Sequence, residues 1–268
     1  MTDFNATADF RTAHRLVQRW SKEGKEEKFL DCLVREFKAT IYLNEQEVVT
    51  LLCTPEFLED LAVGFLVFEG ILRNREELES VLADYDQGRI WVKSRASHCL
   101  AEKTLMQRYI AAGGGRGTSF DSLKNVQNCK PINSKLLIAP TQVLARMQEL
   151  QTRSKLFQTT GGVHSALLAS NQQVILYRED IGRHNAVDKI LGYCFRQGIA
   201  VDELVLFTSG RLSSEMLLKA ARGGIPILVS RSAPTNLAVE LAEQLGVTLV
   251  GFTREGCFNV YCHSERIG

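Results

Sequence analysis

Between residues 204 and 250 the chain alternates short β-prone apolar runs with helical ones, and no other feature restricts its fold so strongly. Leu204, Val205, Leu206 and Phe207 read as a strand, and residues 214–222 read as a helix that turns Met216, Leu217, Ala220 and Ala221 inward. Ile225, Ile227, Leu228 and Val229 form the next strand. Residues 235–245 make a helix presenting Leu237, Ala238, Leu241, Ala242 and Leu245, Gly246 stops it, and Val247, Leu249 and Val250 follow as a strand. This βαβαβ order predicts parallel strands joined by right-handed crossovers, because a helix must lie between two strands that run the same way.

In an open parallel sheet, ligands bind outside the carboxyl ends of the strands. Those ends read Ser209-Gly210-Arg211-Leu212-Ser213, then Ser230-Arg231-Ser232-Ala233-Pro234-Thr235, then Gly251-Phe252-Thr253-Arg254-Glu255-Gly256. Each carries an arginine, hydroxyls and a glycine or proline. The guanidinium fork suits phosphate or carboxylate, so an anionic, nucleotide-like ligand is expected across Arg211, Arg231 and Arg254, helped by Ser213 and Thr235. The plainer reading is that Ser213 and Thr235 cap helices and the arginines are surface residues.

Upstream, residues 179–189 (EDIGRHNAVDK) pass from a β-prone run, Val174 to Tyr177, into a helical one carrying Ala186, Val187, Ile190, Leu191 and Cys194. Gly182 falls at the bend, where positive φ or close backbone approach is expected. Asp180, Arg183 and His184 gather at a helix N-terminus, which attracts anions. They are expected to serve a site rather than stability; a charged turn with an internal Asp-Arg pair is the alternative. His164 follows a Gly-Gly turn at the start of an apolar strand and becomes a proton-handling candidate if it faces His184.

The N-terminal half is expected to be a smaller α+β segment. Residues 1–28 are rich in Lys and Glu and read as a flexible arm or fraying helix. A hairpin follows, turning at Asn44, and then a helix with Thr54 as N-cap, Pro55 at its first position and Gly70 beyond its end. Residues 29–140 form this domain, and residues 141–268, opening on a helix near Thr141, form the α/β one. Residues 113–117 (GGGRG) are a glycine-rich loop that lacks a P-loop lysine.

A net charge of +1 gives no basic excess for nucleic acid or a membrane surface. No apolar run approaches a membrane span and no signal peptide opens the chain, so a soluble, cytoplasmic protein is expected. Seven cysteines without a C-x-x-C pair suggest neither a disulfide framework nor zinc, and no metal site is expected.

The strings TGGVHSA (160–166), EDIGRHNAVDK (179–189), SGRLSSEMLLKA (209–220), APT (233–235) and GFTREGCFNVY (251–261), with TPEFLEDLAVGFLVFEGIL (54–72), resemble the FdhD family of formate dehydrogenase accessory proteins. The resemblance implies a cytoplasmic homodimer whose α/β fold is a three-layer sandwich similar to cytidine deaminase. It implies sulfur taken from a cysteine desulfurase as a persulfide and passed to the molybdenum or tungsten cofactor, bound as a bis-(molybdopterin guanine dinucleotide), before insertion into the formate dehydrogenase apoprotein. Phe252, Thr253, Arg254, Glu255, Gly256 and Cys257 match the segment that family members use for that cofactor. One departure stands out: Gly114 and Gly117 occupy the positions of the family's loop cysteines, and glycine cannot carry a persulfide. Either Cys99 or Cys129, which flank the loop, or Cys257 substitutes, or the protein is a non-catalytic carrier of the cofactor. A nucleoside deaminase is disfavoured, because no H-x-E with C-x-x-C is present to hold zinc.

Overall fold

The computed structural model describes residues 9–95, 108–110, 129 and 131–268. Its centre is a six-stranded mixed sheet in the order β13-β12-β11-β10-β8-β9. These strands are β8 (His164–Ala169), β9 (Val174–Asp180), β10 (Val205–Thr208), β11 (Ile227–Ser230), β12 (Thr248–Arg254) and β13 (Cys257–Cys262). As the alternation predicts, β10 pairs with β11 and β11 with β12 in parallel. On the flanks, β8 runs antiparallel to β10 and to β9, and β13 antiparallel to β12. Both flanking pairs are hairpins, which close over a few residues and need no crossover.

The sheet is covered on both faces. Leu168, Leu206, Leu228 and Leu249 meet residues from α4 (Arg183–Gln197), α5 (Ser214–Gly223) and α6 (Asn236–Leu245). The other face, with Leu167, Val205, Phe207, Ile227 and Val229, meets Val143, Met147 and Leu150 of α2 (Pro140–Arg153). Alternate residues of the strands thus serve opposite cores, as the pleat requires. A short helix, α3 (Lys155–Thr160), leads from α2 to β8.

A second sheet has the order β5-β6-β3-β4-β7, built from β3 (Phe37–Leu43), β4 (Gln46–Cys53), β5 (Leu78–Asp84), β6 (Arg89–Ser94) and β7 (Arg108–Ile110). Asn44 and Glu45 turn β3 into β4 at φ 46 and 71°, the left-handed geometry expected for that hairpin. Helix α1 (Leu58–Phe68) buries Leu58, Leu61, Phe65 and Leu66 against this sheet.

Two expectations fail. Residues 12–28 are not an arm: β1 (Thr12–Trp20) pairs with β2 (Glu26–Val34) as an antiparallel ribbon. The helix after Thr54 begins at Leu58 instead, with Phe57 as its N-cap in left-handed geometry at φ 55°. Thr54 is not a cap because it is held elsewhere, by the centre of the molecule. No helix among the described residues is long and apolar enough to cross a membrane.

Candidate functional site

The three strand ends lie on one edge and are laced together by backbone hydrogen bonds. Leu212 N–H donates to Ala233 O (3.0 Å) and Thr235 N–H donates to Leu212 O (2.9 Å), joining the first loop to the second. Phe252 N–H donates to Ser232 O (3.1 Å), joining the second to the third. Ser230 Oγ donates to Gly210 O at 2.6 Å. Ser213 and Thr235 do cap helices: their hydroxyls accept from Met216 N–H and Ala238 N–H. The edge is therefore a preformed surface on which the side chains, rather than the backbone, remain to be engaged.

On that edge the structure brings Arg183, the first residue of α4, against the loop that carries Arg211. A Cβ on Gly210 would stand 2.8 Å from Arg183 Cβ and 2.9 Å from its Cδ, so glycine is what lets the arginine lie there. Burial holds Arg183 below the ordinary guanidinium range, the positive charge of Arg211 pushes the same way, and Glu215 opposes both. Arg183 Nε is buried without a hydrogen-bond partner. Two neighbouring cations, one of them with an unmet donor, have the chemistry to accept an anion.

His164 stands beside them. Its Nδ1 lies 3.3 Å from Ser209 Oγ, which accepts from Ser165 N–H at 3.0 Å. Burial lowers its affinity for a proton, Arg183 and Arg211 add to this, and Asp180 opposes it. These influences favour the uncharged ring, which can make a hydrogen bond without adding a third positive charge. His184 faces Glu215 instead, with Nε2 3.6 Å from Oε2. Glu215 was missed in the sequence; the one cue is an acidic residue in the first turn of a helix capped by Ser213.

Asp180 touches this group only by its charge on His164, its register partner across β8 and β9, and its own partners lie elsewhere. It is fully buried and paired with Lys189 Nζ at 2.6 Å, while Gly182 N–H, Asn185 Nδ2 and Thr54 N–H donate to its two oxygens at 2.9, 2.9 and 3.0 Å. Lys189 Nζ also donates to Thr54 Oγ1 at 2.7 Å. Gly182 has φ −102°, so it serves not a left-handed turn but this network, through its N–H. One helical face further on, Lys219 Nζ pairs with Asp188 Oδ1 at 2.5 Å. Helices α1 and α4 cross through two glycines: a Cβ on Gly64 would fall 2.0 Å from Asp188 O, and one on Gly192 would fall 1.9 Å from Asp60 O. Arg178 and Arg196 close the seam on Asp60 at 3.1 and 2.6 Å. This seam fixes α4, and with it Arg183, relative to both sheets.

Of the remaining expected residues, Arg231 is exposed on the second loop, and Arg254 is exposed as the last residue of β12, which runs past the strand end expected at Val250. The guanidinium of Arg254 lies over the Phe252 ring at 5.5 Å. Phe252 has φ 53° within β12 at a break in its register with β13, Glu255 and Gly256 turn the chain at φ 54 and 79°, and the Thr253 hydroxyl is buried without a partner. Cys257 is exposed, and its Sγ donates to Arg254 O at 3.4 Å. Cys129 is half-buried against the main core. Cys99, Gly114 and Gly117 lie outside the described residues, and no group of three or more metal-ligating side chains occurs among the described ones.

Comparison with known proteins agrees with this architecture. The family model for FdhD/NarQ matches residues 34–268. The chain is 43% identical to the "Sulfur carrier protein FdhD" of Bacillus subtilis (strain 168), over 96% of this chain and 97% of that one. It is 42% identical to the protein of the same name from Staphylococcus aureus (strain MRSA252), over 92% and 93%. A crystal structure from Desulfotalea psychrophila, described as a formate dehydrogenase accessory protein, superposes with a TM-score of 0.79 at 30% identity, covering 96% of this chain and 99% of that one. A match across nearly the whole chain, in sequence and in fold, leads to one conclusion: this protein belongs to the FdhD/NarQ family.

Proposed function

We propose that the protein is a sulfur carrier in formate dehydrogenase maturation, and that the edge around Arg183 and Arg211 receives a molybdenum or tungsten cofactor in its bis-guanine-dinucleotide form as cargo. The names of its relatives support the first part. The second rests on the Arg183–Arg211 pair with its unpartnered Nε. Such a pair is destabilised by its own repulsion until an anion lies between the charges, and a pyrophosphate supplies two. Arg231 and Arg254 extend positive charge along the same edge, where the rest of a dinucleotide would run. The neutral His164 and the Thr253 hydroxyl suit uncharged ribose or base groups.

In this reading a cysteine desulfurase supplies the sulfur, the apoprotein of formate dehydrogenase receives the loaded cofactor, and the protein works in the cytoplasm as a homodimer. A sheet covered on both faces by helices suits the deaminase-like layering that the sequence resemblance implies. The test is calorimetry with GDP, the smallest piece of the cargo carrying its base and pyrophosphate. Binding is expected, and is expected to weaken in Arg183→Ala and in Arg211→Ala. Absence of binding, or binding unchanged in both variants, overturns the assignment of the edge.

A further inference from the structure

A sulfur carrier needs a thiol, and by the sequence resemblance the family's loop cysteines fall on Gly114 and Gly117. Among the described cysteines, Cys53 and Cys194 are buried, and burial pushes both thiols up, Cys194 to about 12. Cys262 is pushed up by burial too and donates to Val247 O at 3.3 Å. Cys129 packs against the core, and Cys257 Sγ is engaged as a donor to Arg254 O. Cys32 differs. It is half-buried on β2, directly opposite His14 of β1 in a register without irregularities. Opposed residues on such a ribbon have Cβ atoms roughly 4.5–5.5 Å apart, so the two side chains leave the same face of the ribbon from adjacent positions.

The face matters as much as the pair. Val34 lies two residues beyond Cys32 and therefore on the same side of β2. Its Cγ1 is 2.5 Å from where a Cβ on Gly162 would stand, so this side of the ribbon rests on the Gly161-Gly162 turn. That turn leads through Val163 into His164. Two residues of extended chain on each side of the contact separate Cys32 from His164, a span of about 15–20 Å. Further along the same face, Leu16 and Leu30 oppose each other, exposed at 69% and 61%. Cys32 thus lies between the mouth of the cofactor edge and an open apolar surface that a protein-borne persulfide can reach.

We propose that Cys32, with His14 as its base, is the thiol on which this chain takes up sulfur; the proposal rests on the sulfur-carrier reading. His14 removes the Cys32 proton, and the thiolate attacks the terminal sulfur of a cysteine persulfide on the donor protein. A sulfur–sulfur bond forms at Cys32 while the donor's sulfur–sulfur bond breaks. The donor cysteine leaves as a thiolate and takes up the proton from His14. The sulfur atom moves with no net oxidation or reduction.

The experiment incubates the full-length protein with a cysteine desulfurase and L-cysteine, followed by intact mass and peptide mapping of persulfides. One added sulfur on the Cys32 peptide is expected, absent in Cys32→Ser, whose thermal unfolding should match the parent's. His14→Gln should slow labelling roughly tenfold or more at neutral pH and recover at a pH above the ordinary thiol range, where no base is needed. Label on Cys99, Cys129 or Cys257, or a pH profile unmoved by His14→Gln, overturns the assignment of the pair while the carrier reading stands. No label on any cysteine, from a desulfurase that labels its usual acceptors, overturns both.

Discussion

Helix α4 serves two regions with opposite environments, although Arg183 and Lys189 are six residues apart on it. At its start Arg183 faces another arginine, and His164 sits beside them within the sheet edge. One turn and a half later Asp188 and Lys189 are shut away at 1% and 0% exposure, each with an opposite charge at 2.5 and 2.6 Å. The inner charges are matched and hydrogen-bonded; the outer arginines repel each other, with Glu215 offsetting that repulsion in part. Buried charge survives when its partners surround it, whereas unmatched charge at a surface is retained where something else completes it. The inner seam is built as a stabilising network, with Asp180 inside it, and the outer edge is where the proposed binding would act.

The sharpest way to break that division is to remove one inner partner. Lys189→Ala or Asp180→Ala should lower stability by about 3–5 kcal/mol in urea titration, because the remaining charge stays buried alone. A loss under about 1 kcal/mol, with cofactor-edge binding abolished, would return Asp180 to the site. Next comes Gly64→Ala: its new methyl overlaps Asp188 O, and overpacking should cost about 1–3 kcal/mol and move α4. Binding of GDP should weaken along with stability in that variant, whereas a change in neither would show that the α1–α4 crossing does not position Arg183.

At the outer edge the effects are expected in binding alone. Arg211→Ala should weaken GDP binding tenfold to a hundredfold, about 1.4–3 kcal/mol for a charge-assisted hydrogen bond, with stability within about 0.5 kcal/mol of the parent. Unfolding of that variant at a lower denaturant concentration would mean that the edge is structural after all. The smallest effect concerns His164. Its proton affinity is lowered in the folded state, so the folded protein binds fewer protons than the unfolded chain as pH falls below the ordinary imidazole value of 6.5. Its contribution to stability should be fully present above pH 6.5 and decline as pH drops through that value, and His164→Gln should flatten this part of the stability–pH curve. An unchanged curve would remove His164 from the arginine pair's field.

What the sequence determined by itself is the α/β core and its edge. Helical and strand periodicity, the caps at Ser213 and Thr235, and the left-handed turn at Asn44 are set by residues a few positions apart, and each appears in the structure. The rule that ligands gather at parallel strand ends then located Arg211, Arg231 and Arg254 on one edge. Tertiary structure alone decided the rest. The ribbon was hidden because its large apolar residues Leu16, Trp20 and Leu30 stay exposed, so neither strand shows the apolar–polar alternation that a half-buried strand leaves in a sequence. Thr54 looked like a helix cap because Pro55 follows it, yet its partner Asp180 lies 126 residues away. Whether a carboxylate is buried against a lysine or open to a ligand depends on which chain segments pack around it, and local sequence carries no record of neighbours so distant.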